Sequence, residues 1–153
     1  MIIVRMIKGI KTHFPSRIAE WFLSVALINW GLILMRTEEV FTKYKTFTGL
    51  QNIADESTWA IFAFIVGLIR LVALAINGTF YGTWYSRFSP HIRGVMSFLS
   101  CFCWVQITYS FLIITPLSPS VAIYATLVVV DMFCMATAWT EAGRNDKQVK
   151  RKI

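Results

Sequence analysis

Apolar residues in this chain fall into long blocks rather than alternating at the spacing of surface helices. The first block, 21–35 (WFLSVALINWGLILM), lies between Glu20 and Arg36. At about 1.5 Å per residue it covers roughly 22 Å, short of a hydrocarbon core about 30 Å thick. Spanning therefore requires residues 18–19 to join the helix and Arg17 and Arg36 to snorkel outward. The second block, 59–76, is interrupted only by Arg70; it follows Asp55-Glu56-Ser57 and stops at Asn77-Gly78, both favourable helix ends. The third, 95–115, ends at Pro116, and the fourth, 120–140, starts just after Pro119, where proline suits a first turn. The link 116–119 is so short that the last two blocks form an antiparallel hairpin. The pattern predicts an all-α polytopic membrane protein, with four transmembrane helices near 18–36, 58–77, 94–115 and 119–140 in an antiparallel bundle.

The first 14 residues, MIIVRMIKGIKTHF, have a helical period instead. Ile3, Met6, Ile7, Ile10 and Phe14 fall on one side, with Arg5, Lys8, Lys11 and Thr12 opposite. This predicts a short basic amphipathic helix lying in the headgroup layer, weakened by Gly9 and ended by Pro15. The expected organisation is an arm at 1–17, a transmembrane domain at 18–140 and a basic tail at 141–153.

Composition removes the competing classes. The chain is 56% apolar and 15% charged, with a mean hydropathy of +0.59, against about 45–50% and about 25% in soluble domains. Three cysteines, all inside apolar runs, do not make a secreted disulfide scaffold. Low charge with 12 Phe, 6 Trp and 5 Tyr excludes disorder. A cleaved signal peptide would need a small-residue cleavage pattern after Met35, where the chain reads Arg-Thr-Glu-Glu.

The net charge of +7 bears on orientation. The N-terminal arm, the 77–94 connection and the tail together hold 11 of the 15 basic residues. Arg36, Lys43 and Lys45 on the opposite side are offset by Glu38, Glu39, Asp55 and Glu56. The bias predicts both termini in the cytoplasm and contact with anionic lipid headgroups, with no nucleic-acid partner.

Two connections are unusual. In NGTFYGTWYSRFSPHIRG, Phe80, Trp84 and Phe88 recur every four residues, and Tyr81 and Tyr85 do so one step on. This suits an interfacial aromatic belt, with a quinone or lipid-headgroup pocket as the sharper alternative. The 37–58 connection carries Val40, Phe41, Tyr44, Phe47 and Leu50, which predict a short helix on the outer surface.

Ionisable groups within spans cost roughly 2.5–3.5 kcal/mol each on insertion scales, so they act as signals. Arg70 lies 11 residues after Trp59 and Asp131 lies 11 after Ser120, in spans running the same way. Counting inward from the span ends adds Asn29 and Gln106 to one polar layer, with Tyr124 on the stripe of Asp131. Trp59, Ala63, Gly67, Arg70 and Leu74 share a face of the second span, and Ala63-xxx-Gly67 permits close helix approach. Packing that face on the fourth span would pair Arg70 with Asp131, as a structural pair fixing register or as a proton or ion relay. Ser97, Ser100, Cys101 and Thr108 make a small-polar seam on the third span.

Catalytic and metal constellations are missing. His13 and His91 lie outside the apolar blocks, and Cys101 and Cys103, two apart, are about 200° apart around a helix. The sequence points to no catalytic residue, metal or cofactor.

Four strings, EWFLSVALINWGLIL (20–34), VGLIRLVALAINGTF (66–80), SCFCWVQI (100–107) and AIYATLVVVD (122–131), resemble small four-span membrane proteins encoded by tailed bacteriophages and prophages. The resemblance brings no activity; it implies a bacterial inner-membrane location during phage infection. The expected function is that of a non-enzymatic membrane protein acting through helix–helix contacts with itself or another membrane protein. A holin-like lysis protein and a small transporter using Arg70 and Asp131 are the alternatives.

Overall fold

A computed structural model describes the backbone of residues 2–79 and 84–150 and the side chains of 14–76 and 88–147. The elements are α1 (Ile2–Arg36), α2 (Val40–Lys43), a tight 3-10 turn (Lys45–Phe47), α3 (Thr48–Gln51), α4 (Glu56–Thr79), α5 (Trp84–Ile114) and α6 (Pro119–Lys150). No strand occurs among the described residues. Four segments are long and apolar enough to cross a membrane: Phe14–Arg36, Glu56–Ile76, Phe88–Ile114 and Pro119–Lys147. The shortest, at 21 residues, reaches about 30 Å as a helix, enough for the hydrocarbon core. The chain is an all-α, multi-pass membrane protein.

The helices run further than the apolar blocks. α1 is two helices joined across a kink: Pro15, expected to end the first, lies inside it, and the helix breaks two residues later at Arg17 (φ −128°, ψ 17°). The amphipathic side chains expected at 3–12 lie outside the described side chains. α5 begins at Trp84, so most of the aromatic connection is helix, with Pro90 buried inside it. α6 continues past Thr140 to Lys150, taking most of the expected tail with it. At the tight hairpin, the Ser118 side chain accepts a hydrogen bond from the Ser120 amide at 3.2 Å and caps α6 one residue before Pro119.

α4 is flanked by α1 and α5, α5 by α4 and α6, and α6 meets α1 along a looser seam. The start of α1 and the end of α6 share one end of this bundle, the terminal face, and the 37–55 connection covers the other, the loop face. α1 and α4 are the closest pair because each offers a glycine to the other. A β-carbon on Gly31 would lie 2.8 Å from the Ala60 carbonyl oxygen and 2.9 Å from the Phe64 nitrogen. One on Gly67 would lie 2.8 Å from Ile28 Cγ1 and 2.9 Å from the Ser24 carbonyl oxygen. This corrects one expectation: the Ala63–Gly67 face packs on the first span, not the fourth, because only α1 brings a backbone close enough to use it.

The loop face is closed by its connection. Val40, Phe41 and Leu50 are buried rather than lying on the surface, while Tyr44 stays exposed. Phe41 stacks on Phe47 with ring centres 5.4 Å apart, and Phe47 meets Phe111 edge-on at 5.4 Å. Trp59 donates its indole N–H to the Leu50 carbonyl at 3.0 Å, and Glu56 accepts the Phe41 amide at 3.0 Å. The expected outer helix is thus two short helices and a turn, folded inward as a cap because four of its apolar side chains, Val40, Phe41, Phe47 and Leu50, find partners there.

Gly67→Val should lower stability by about 1–3 kcal/mol through overpacking, whereas Gly143→Ala, inside α6 with nothing within 4 Å, should raise it by about 0.5–1 kcal/mol through helix propensity. Unfolding titrations in mixed micelles check both.

Candidate functional site: buried charges across the bundle

The interior polar groups come from helices that are not neighbours. Arg70 of α4 reaches across the bundle to Asp131 of α6, Nη1 lying 2.7 Å from Oδ1, and both side chains are fully buried. α5 lies between them and supplies Ser100, which donates to Asp131 Oδ2 and accepts from Arg70 Nη1 at 3.2 Å. The pairing expected from equal depth is present, although its helices do not pack side by side. Two long facts make it feasible: arginine has the reach, and Ser100 is small enough to let it pass.

A second brace runs along the other diagonal, nearer the terminal face. Arg93 of α5 donates to both carboxylate oxygens of Glu20 on α1, from Nε to Oε2 at 2.8 Å and from Nη2 to Oε1. Its Nη1 donates to Glu141 Oε2 of α6 at 2.9 Å, and Arg17 Nη2 donates to Glu141 Oε1 at 2.8 Å. Glu20 is 3% exposed and Arg93 1%. A planar guanidinium matched to a carboxylate on two edges is the strongest geometry an ion pair can take, and here one guanidinium serves two carboxylates. Each cluster is neutral, with two cations facing two anions at the terminal face and one facing one deeper in. Neutrality permits burial; a lone charge there would carry a desolvation penalty of several kcal/mol.

The pattern of apolar blocks hid this second cluster. Arg17, Glu20, Arg93 and Glu141 sit at block ends, where charges ordinarily mark topology. The available signal was that all four fall at one boundary with opposite signs, which is unusual for flanking charges alone.

The other expected site residues are distributed as follows. Asn29 is exposed, so it does not join the layer: Leu27, two residues earlier and about 200° around the helix, is the one that faces the core. Gln106 is half-buried and makes no hydrogen bond among the described residues; six positions beyond Ser100, it faces about 120° away. Tyr124 stacks on Trp104 at 6.1 Å and leans on Phe111 at 5.3 Å, roughly two turns from Asp131 toward the loop face. Ala63, Gly67 and Ser97 are buried, whereas Cys101 is only partly so and lies at the edge of the seam. Of the aromatic belt, Phe88 is exposed; Phe80 and Tyr81 lie outside the described residues, as do the side chains of Trp84 and Tyr85.

A cleft of about 240 Å³ opens onto the outer cluster, lined by Arg17, Glu20, Arg93, Cys134, Thr137 and Glu141 among others. It lies at the loose α1–α6 seam. Among the described residues no group of three or more His, Cys, Asp or Glu side chains is placed to hold a metal ion. No family model, curated protein or solved structure matches the chain.

Arg70→Leu and Asp131→Leu should each destabilise the bundle by about 3–5 kcal/mol, because each strands a buried charge. The double substitution should recover much of that loss, measured as membrane accumulation and as resistance to unfolding. At the terminal face, Glu20→Leu with Arg93→Leu should be tolerated far better than Arg93→Leu alone, since Arg17 still answers Glu141.

Proposed function

We propose that this is a non-enzymatic protein of a bacterial inner membrane, encoded by a phage or prophage, that works by lateral helix–helix contact with a second copy of itself. Its termini face the cytoplasm, where the basic arm and tail meet anionic headgroups. The observation that carries this reading is Asn29. It sits about two-thirds of the way along the first membrane-crossing segment, on an exposed stripe whose other members are apolar: Ile18 (56% exposed), Phe22 (64%), Val25 (46%) and Ile33 (60%). A carboxamide facing hydrocarbon has no water to bond, and it both donates and accepts. The same residue on a second copy, related by a two-fold axis, satisfies both needs at once.

The holin-like alternative fares less well. A pore between chains needs a polar face to line it, and the charges inside this bundle are matched within one chain. The small-transporter reading keeps one supporting observation, the polar atoms around Arg70 and Asp131.

Asn29→Leu should weaken self-association in bilayers by about 1–2 kcal/mol, or roughly five- to thirtyfold in the dissociation constant, while Asn29→Gln retains most of it. Energy transfer between labelled copies, followed as protein is diluted into lipid, measures this. Unchanged association in Asn29→Leu would remove the carrying observation. Reporter fusions at Phe47 and at the C terminus should lie on opposite sides of the membrane.

A further inference from the structure

Apart from Ser110 under the loop-face cap, the buried polar side chains lie in one half of the bundle. On α5, Arg93, Ser97 and Ser100 succeed one another at spacings of four and three, so they share a face. On α6, Asp131, Cys134, Ala138 and Glu141 do the same, and α1 contributes Glu20 and Ser24. All of these are buried except Glu141, which is partly so. Between the two charge clusters the column is lined by serine, alanine and cysteine, with the buried Leu23 and Leu74 beside it. From Arg93 to Ser100 the column is about 10 Å long, and from Glu141 to Asp131 about 15 Å. Toward the loop face the interior changes character: Leu27, Leu34, Trp59, Val66, Cys103, Trp104 and Ile107 form a continuous apolar core.

Several groups along this column have no protein partner. Ser97 Oγ, fully buried between the clusters, makes no hydrogen bond, and neither do Arg70 Nε and Nη2, which carry three of that guanidinium's five N–H groups. Trp104, one turn past Ser100, also buries an unpartnered indole N–H. The remaining unpartnered hydroxyl, Ser110 Oγ, belongs to the loop-face cap beside Gly49. An unmet donor of this kind ordinarily costs about 1–3 kcal/mol, more when charged, and water bridging two or more polar groups is the usual remedy. The cleft lined by Glu20, Arg93, Cys134 and Glu141 gives such water a mouth at the α1–α6 seam.

We propose that the terminal-face half of the bundle is a one-sided, water-binding vestibule that enters at the α1–α6 cleft, runs past Ser97 and ends blind at the Arg70–Asp131 pair beneath Trp104. Its ligand is a short chain of water molecules. The neutrality of the outer cluster disfavours an anion or cation as resident, since either would break pairs already formed. The vestibule places Asp131 in aqueous contact with the compartment on the terminal side and with no other. It stands independently of self-association through Asn29, which is on the outer surface of α1.

Water contact tests the proposal in a lipid bilayer, with water itself as the probe. Solid-state magnetisation transfer from mobile water is read at labelled Ser97, Arg70 and Asp131, and at Ile107, which is buried in the apolar half. Build-up at Ser97, Arg70 and Asp131 should be several-fold faster than at Ile107, on the order of tenfold for a group in direct contact with water. A membrane-impermeant paramagnetic chelate that relaxes the water should suppress this build-up when it is placed on the terminal side and not when it is placed on the loop side. Build-up at Ser97 and Arg70 no faster than at Ile107 would overturn the proposal, as would a chelate that acts equally from both sides.

Discussion

Pairing of buried arginines with acids across the bundle is the constraint on which this structure depends. The four membrane-crossing helices could in principle slide or rotate against one another, since apolar side chains pack on apolar neighbours with little preference for register in a lipid environment. The two braces remove that freedom. Glu20–Arg93 ties α1 to α5, and Arg70–Asp131 ties α4 to α6, so each helix is held to the one it does not pack against. Because the braces lie at different heights, no rotation or shift of one helix preserves both. The glycine contacts between α1 and α4 supply close packing, and the charges supply register.

The same arrangement divides the interior. Charges and small polar side chains occupy the half near the termini, and aromatic and aliphatic residues seal the half beneath the loop-face cap. The division follows from where the acids fall in the chain. Glu20 precedes the first apolar block and Asp131 lies near the middle of the last, so neither fully buried acid falls beneath the loop-face cap. The cap completes the asymmetry: Phe41, Phe47 and Leu50 close the apolar end, while the other end opens at the α1–α6 seam.

Much of this was legible in the sequence, and the limits are physical ones. Block lengths and the short hairpin revealed the helices, because a span must be long and apolar. Counting residues from block ends placed Arg70 level with Asp131, since helical rise is constant. The same count misplaced Asn29, because depth says nothing about which way a side chain faces. Assigning Ala63 and Gly67 to the fourth span failed for a related reason: a small-residue face shows that some helix comes close, not which one. Arg17 and Arg93 count toward the charge bias and Glu20 and Glu141 stand only as flanks of the apolar blocks, because a charge at a block end has a sufficient explanation in the headgroup layer. Only the folded arrangement shows that they turn inward and meet. The cap was half legible, its apolar residues visible but their inward direction not.

The most direct test of the central claim is the contact between Arg70 and Asp131 in a lipid bilayer. Solid-state dipolar recoupling between the guanidinium nitrogens of a labelled Arg70 and the carboxyl carbon of a labelled Asp131 reads that separation without any substitution. The 2.7 Å approach of nitrogen to oxygen predicts strong dephasing, unaffected by dilution with unlabelled protein because the contact is within one chain. Absence of dephasing, or dephasing that disappears on dilution, would contradict it.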